Sequence, residues 1–330
     1  MPFRLKFEWP CRTLRERQGC WLYMNKADTT ESVRITDEHE AHYREHGYAI
    51  VEKFCTPTEL EGALTSFDEV VPGWVDFAKD PSGPKPEFYD KPYPDQRGIP
   101  HFPYQGKALN DLTFHPELHR FATLMGEGEE MYCEQSHLTY KAMNTKDDFD
   151  QDMHLDYGNH TLAYPPNVPK YWQTAYLYYF TDVTLESGPT AVCSKKHYPE
   201  RILVPNHHTR ESRPELYDNE VKVTCPAGSL LIYGMRTFHR GTAFTCDNHG
   251  RLGMFVTYAP KACRWMGIVG WPISAGKPAF KEWIEQASVE ERNVLGFPEP
   301  SHEYWTEETL DGVGARFPGM DMTPYRDAKG

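Results

Sequence analysis

The 330-residue chain contains no C-x-x-C pair. Its eight cysteines (Cys11, Cys20, Cys55, Cys133, Cys193, Cys225, Cys246 and Cys263) are scattered, which leaves zinc ribbons and thioredoxin-type redox motifs without support. They read as mostly buried free thiols of a reducing compartment. A basic excess is also missing. The net charge is −13, which argues against a nucleic-acid partner because phosphate binding needs a basic surface. No apolar run approaches the ~18 residues of a membrane span, and the mean hydropathy is −0.68. The opening Met1-Pro2-Phe3-Arg4-Leu5-Lys6 lacks the apolar stretch of a signal peptide, so the expected location is the cytoplasm. The sequon Asn159-His160-Thr161 is then accidental. There is no internal repeat and no low-complexity segment. What is present suffices for a sizeable core: 39% hydrophobic residues, 14% of the chain aromatic, in a length that suits one large domain or two small ones.

Along the chain, residues 36–48 read as a surface helix rich in His and Glu that ends at Gly47, followed by a short strand Tyr48–Val51. Thr56-Pro57-Thr58-Glu59 is a capping box with proline at the first helical position, and the helix it opens should run to about Val70. Residues 81–106 are dense in prolines and aromatics, Tyr104 among them, and are too irregular for a core element; such a loop is either a binding lid or a rigid connection. A helix Pro116–Met125 follows. From 134 onward the texture becomes short strands between turns, with candidates at 135–142, 172–180, 221–224, 229–233 and 251–258, and a turn at Pro226-Ala227-Gly228. That pattern predicts a sandwich or barrel. After Pro260 come a helix near 280–286 and a Pro/Gly-rich tail.

The triplet His154-Leu155-Asp156 is the most informative local feature. Residues i and i+2 of a strand share a face, so one imidazole and one carboxylate can meet the same metal ion. About one H-x-D is expected by chance in this composition, so the triplet alone is only a hypothesis. His239, far downstream, supplies a candidate third ligand, completing the two-His-one-carboxylate set that leaves positions open on non-haem Fe(II). Arg251 follows a dozen residues later and can hold the far carboxylate of an oxoacid cosubstrate bidentately.

At this point the chain resembles the phytanoyl-CoA dioxygenase-like branch of Fe(II)/2-oxoglutarate oxygenases. Thr181-Asp182-Val183-Thr184-Leu185-Glu186-Ser187-Gly188-Pro189-Thr190, with Ser194 and His197, is similar to the family's L-x-D-V-T-x-x-N-G-P…P-G-S-H segment. Pro226-Ala227-Gly228-Ser229 resembles its P-x-G-D turn, and His239-Arg240-Gly241-Thr242 with Arg251 its H-x-G-(S/T)…R ending. The opening at 36–70 matches as well, so the resemblance spans about residues 36–260. It implies a mainly β fold with flanking helices around a double-stranded β-helix (jelly-roll, cupin-like) core at about 134–260, an N-terminal extension at 1–35, and a C-terminal helical or irregular extension at 261–330 packed on the core. It implies Fe(II), 2-oxoglutarate and O₂ as cofactors, with His154, Asp156 and His239 as metal ligands and catalytic centre and Arg251 on the cosubstrate. It further places Trp172, Thr242 and either Lys141 or Tyr140 beside 2-oxoglutarate. The P-G-S-H element is here Cys193-Ser194-Lys195-Lys196-His197, so His197 is expected to brace its loop. Gly253 stands where many relatives have Ser or Thr, and is expected to leave room beside Arg251. Asp156 is intact, which favours hydroxylation over halogenation.

For the substrate, the candidates are His160 in the loop 157–171, Tyr104 in the loop 89–104, and Arg240; each also has a bland structural reading. Lys195, Lys196 and Arg201 could meet a CoA phosphate or simply be exposed. His115-Pro116-Glu117, the pair His115 and His119, and the face formed by His39, His42 and His46 read as structural or solvated groups. The expected activity is hydroxylation of a C–H bond in a small organic molecule (a carboxylate, acyl thioester or natural-product intermediate) with release of succinate and CO₂. Alternatives are a metal-dependent cupin of another reaction class, in which Arg251 is idle, and a ligand-binding relative without turnover. Fold-level analogy does not choose among substrates, and the oligomeric state stays open.

Overall fold

The computed structural model describes residues 34–328 apart from 95–97, 144, 157–159, 162–167, 199–205, 247–249, 264–266, 268–270 and 272–276. The extension expected at 1–35 therefore falls almost wholly outside the described residues, as do Arg201, Asn159 and most of the loop 157–171.

Among the described residues, ten strands form two five-stranded antiparallel sheets. They are β1 (Tyr48–Val51), β2 (Met131–Ala142), β3 (Met153–His154), β4 (Thr174–Tyr179), β5 (Thr190–Cys193), β6 (His207–His208), β7 (Glu220–Lys222), β8 (Ser229–Gly234), β9 (His239–Gly241) and β10 (Gly250–Pro260). The larger sheet has the order β1-β8-β4-β10-β2 and the smaller β6-β3-β9-β5-β7, the jelly-roll arrangement expected from the sequence. Helices α1 (Asp37–His46), α2 (Pro57–Val70), α3 (Trp74–Lys79), α4 (Ala108–Thr113) and α5 (Pro116–Met125) precede or follow the early strands; α6 is Pro214–Asp218, and α7 to α10 are Pro278–Gln286, Val289–Leu295, Glu307–Arg316 and Thr323–Asp327.

The larger sheet is buried on both faces, which explains why β4 reads as an unbroken apolar run rather than an alternating one. Tyr176 and Tyr178 point toward the helices and join a core with Phe67, Trp74, Leu112, Leu118, Phe121, Met254 and Val256. Their hydroxyls donate to the carbonyls of Leu118 (2.6 Å) and Leu112 (2.9 Å), and Tyr258 donates to that of Thr113 (3.0 Å), so buried helix carbonyls find partners. The opposite face, through Ala175, Leu177, Tyr179, Leu231 and Tyr233, packs on Val183, Val192 and Val223 of the smaller-sheet side. A fully buried aliphatic side chain stabilises by about 1.5–3 kcal/mol, so this three-layer stack is the main source of cohesion. Trp305, Leu310, Phe317, Met320 and Tyr325 belong to the same helical-side core, so the stretch after 300 is helical and packs on that core.

Local signals behave as read at the chain's start. Thr56 caps α2 with Glu59 returning to its backbone, and Gly47 ends α1 at φ +87°. Six described cysteines are free thiols, five of them buried. No helix among the described residues is long and apolar enough to cross a membrane.

Gly253 corrects an expectation. A Cβ there would lie 2.4 Å from the Tyr178 carbonyl oxygen and 3.1 Å from Thr139 Oγ1. The glycine is required by the close approach of β4, not by a ligand beside Arg251. Gly253→Ala is expected to cost about 2 kcal/mol, seen as a lower urea midpoint. An unchanged midpoint would mean that β4 yields freely.

Candidate metal centre and its cavity

His154 ends β3, and the backbone register sets it directly opposite His239 of β9. Asp156 follows two residues on. One nitrogen or oxygen from each of the three lies within 4.8 Å of the others, the one such group among the described residues. The second ring nitrogens explain the aim. His154 Nδ1 donates to the Asp152 carbonyl (2.8 Å) and His239 Nδ1 to that of Thr237 (3.0 Å). A carbonyl can only accept, so each Nδ1 carries the proton and each Nε2 offers its lone pair inward. Asp156 Oδ1 sits 3.5 Å from His239 Nε2 and 3.9 Å from His154 Nε2.

Charges agree with this arrangement. Burial, then His239, pushes His154 down to about 4, leaving it neutral. Burial raises Asp156, but His239 beside it outweighs burial and holds the carboxyl well below its usual range. Burial lowers His239, yet Asp156 raises it more, so the net shift is upward. A divalent cation and that proton would compete for the same lone pair. Two imidazoles and a carboxylate fit a divalent transition metal, with open positions to spare.

The three groups line a cavity of about 440 Å³ between the two sheets. At another part of its wall are Arg251 and Lys141, register partners on β10 and β2. Lys141 Nζ donates to the Thr242 carbonyl at 2.7 Å and stands 3.9 Å from Asp148 Oδ1. Burial and then Arg251 push this lysine down to about 8. Arg251 donates to the Gly188 carbonyl. His160 also lines the cavity, its Nδ1 3.1 Å from Gln173 Oε1, while the Gln173 amide nitrogen donates to the buried Glu134 carboxylate.

Other expected residues lie elsewhere. Trp172 packs with Met235, Ala259 and Cys263 at the start of β4, outside the cavity wall, with the Arg236 guanidinium 5.7 Å from its ring. Thr242 spends its hydroxyl on the Pro189 carbonyl (2.7 Å), and its part in the site is the carbonyl that holds Lys141. Tyr140 borders the cavity, but its ring faces the helices, 4.6 Å from Trp74 and 6.4 Å from Phe67; one residue of strand alternation separates it from Lys141. The Tyr104 hydroxyl meets Ser136 Oγ at 2.8 Å inside the helical-side core. Arg240 is buried in ion pairs with Glu220 (2.7 Å) and Asp150 (2.8 Å). His197 is exposed, and it is Ser194 that braces its loop by accepting from the Lys196 backbone. Lys196 pairs with Glu45. His115 caps α5, accepting from Glu117 N at 3.2 Å, and His46 meets Ser194 Oγ at 2.9 Å.

Of the aromatic loop 89–104, expected on the substrate side, Gly98 and Ile99 reach the cavity. Other wall residues were missed by the sequence reading: the run just before the metal triplet supplies Lys146, Asp147, Phe149 and Gln151. The signal there is the acidic cluster Asp147, Asp148, Asp150 and Asp152. Asp148 accepts from Phe244 N (2.8 Å) and Gln151 Oε1 from Gly241 N (2.8 Å), tying this loop to the segment after His239. Tyr233, whose hydroxyl touches both Asp156 and His239, was also missed because it comes from the other sheet.

The family model described as phytanoyl-CoA dioxygenase (PhyH) matches residues 43–251. The chain belongs to the phytanoyl-CoA dioxygenase family. The matched stretch includes all three metal-ligand candidates and ends on Arg251. Solved structures share the fold. The epimerase SnoN, in complex with Fe3+, alpha ketoglutarate and nogalamycin RO, is 16% identical with a TM-score of 0.52, covering 72% of this chain and 88% of its own. EctD from S. alaskensis, with 2-oxoglutarate and 5-hydroxyectoine, is 17% identical with a TM-score of 0.52, covering 73% and 81%. No curated protein matches the chain.

Arg240→Met should lower stability by about 2 kcal/mol or more, because Glu220 is left buried without its partner, while leaving metal affinity within about twofold in a competition assay. A large loss of metal binding with unchanged stability would put Arg240 back in the site.

Proposed function

We propose that the chain is an Fe(II)- and 2-oxoglutarate-dependent oxygenase that hydroxylates a C–H bond of a small organic substrate. The observation that carries this reading is the shared cavity: two cations, Arg251 and Lys141, and the His154-Asp156-His239 group line the same space. A dicarboxylate oxoacid has two unlike ends, and this cavity has a place for each. Arg251 is the bidentate donor for the distal carboxylate and Lys141 a second charge beside it. The keto-acid end is left for the metal. When bound, iron and 2-oxoglutarate with O₂ supply the oxidising power for C–H hydroxylation, with succinate and CO₂ as by-products.

The chain's own residues bind, orient and exclude water. Tyr179 donates to Thr190 Oγ1 at 2.9 Å, fixing a hydroxyl of the wall. Leu177 and Phe255 line the inner face, and Phe149, 51% exposed, stands at the rim. His160 and the loop containing Lys146 and Asp147 are the proposed substrate side. The volume is toward the small end for ligand sites, which run about 300–1,000 Å³; that favours a compact substrate or the reactive end of a larger one. Intact Asp156 favours hydroxylation, while the chain's structural neighbour SnoN is an epimerase.

The test is anaerobic titration of the protein with Fe(II) and then 2-oxoglutarate, following the visible charge-transfer band of the chelate. The band should form in wild type and require far more 2-oxoglutarate in Arg251→Ala; Fe(II) uptake without any band would make the protein a metal cupin of another class. Asp156→Ala should abolish succinate release. The pH dependence has a definite sign. Lys141, at about 8, is charged below that pH and neutral above it. Affinity for 2-oxoglutarate should therefore fall as pH rises from 7 through 9, and Lys141→Met should flatten the profile. An equally steep profile in Lys141→Met would remove the lysine from the cosubstrate end.

A further inference from the structure

Tyr233 stands at the metal centre but belongs to the larger sheet, while the ligands lie on or beside the smaller one. It is 1% exposed, and its hydroxyl lies 3.2 Å from Asp156 Oδ2 and 3.2 Å from His239 Nε2. The ring is clamped. It tilts over the His239 ring at a centroid separation of 4.4 Å and meets Phe255 edge-on at 6.0 Å. The hydroxyl position is thus set by packing, and only its proton is free to choose a partner.

A phenol has one proton to give. His239 Nδ1 is committed to the Thr237 carbonyl, so Nε2 is the atom offered to a metal. Once that lone pair is taken, Asp156 Oδ2 is the acceptor left for the phenol. The other carboxylate oxygen, Oδ1, faces both imidazoles, at 3.5 and 3.9 Å. The two oxygens of Asp156 therefore have different neighbours.

We propose that Tyr233 is a positioning residue of the metal centre: its hydroxyl holds Asp156 Oδ2, so that the carboxylate presents Oδ1 alone. The inference rests on His154, Asp156 and His239 being the metal ligands. Its consequence is a count of coordination places. Two imidazoles and a single oxygen leave three positions of an octahedron open, enough for a chelating oxoacid and one more ligand. A carboxylate bound through both oxygens leaves one fewer. Phenylalanine at 233 would fill the same space without the hydrogen bond, so packing does not account for a buried hydroxyl, which carries a desolvation cost unless paired.

The test uses the full chain loaded anaerobically with Co(II), a visible probe of ligand geometry. Affinity is measured by chelator competition and the absorption spectrum is recorded, for wild type, Tyr233→Phe, Asp156→Ala and the double variant. Tyr233→Phe should bind Co(II) about 10–100-fold more weakly, with an altered spectrum and weaker uptake of added 2-oxoglutarate. In the Asp156→Ala background, removing the hydroxyl should change affinity by less than about twofold, because the partner it acts through is gone. Unchanged affinity and spectrum in Tyr233→Phe would overturn the proposal, as would an equal loss in both backgrounds. Should Tyr233→Phe fail to fold, the hydroxyl serves the fold and the proposal falls. Absence of Co(II) binding by the wild-type protein would overturn the metal centre itself and this inference with it.

Discussion

A carboxylate held away from water is the constraint on which the site depends. Asp156 is 9% exposed, and a lone buried negative charge is costly unless matched and hydrogen-bonded. The fold supplies the match from three directions. His154 comes from the strand just before it, His239 from the neighbouring strand through a single backbone pairing, and Tyr233 from the opposite sheet. Each imidazole is in turn held by a carbonyl, at Asp152 and Thr237. The Thr237 hydroxyl donates to the Gly47 carbonyl at 2.6 Å, so the end of α1 supports the His239 ring two contacts away. A Cβ at Gly47 would fall 2.7 Å from that hydroxyl, which ties a helix cap to the aim of His239.

The second constraint is the opposite charge. In a chain of net charge −13, Lys141 and Arg251 are placed next to each other on adjacent strands inside a cavity. Their mutual repulsion and desolvation are met only in part, by carbonyls of Thr242 and Gly188 and by Asp148. The cavity is thus polarised, with an acceptor-rich end at His154, Asp156 and His239 and a cationic end, and its apolar wall keeps both in a low-dielectric space where they act strongly.

Legibility differed by scale. The capping box at Thr56, the strand after Gly47 and the turn at Gly228 rest on interactions between residues near in sequence, and their positions could be read directly. The long strands of the larger sheet were visible through their apolar runs. The short strands β5, β6 and β9 were not, because they owe their shape to pairing across the smaller sheet, although the similarly short β1 and β7 could be read. The helices after 300 could be placed only as a helical or irregular extension: their apolar residues are sparse in sequence and gain meaning only against the helical-side core.

For the site, the sequence by itself determined the chemistry on offer: an imidazole and a carboxylate two residues apart, a distant second histidine and an arginine beyond it, in a chain whose motifs place it in its family. Tertiary structure decided which side chains face the cavity. Strand alternation separated Lys141 from Tyr140, ion pairing drew Arg240 away, and core packing took Tyr104 and Trp172. The same packing brought in Tyr233 and the loop from Lys146 to Gln151. The reason is physical: residue type fixes what a group can bind, but its direction follows from which sheet, face and partner strand the folded chain assigns it.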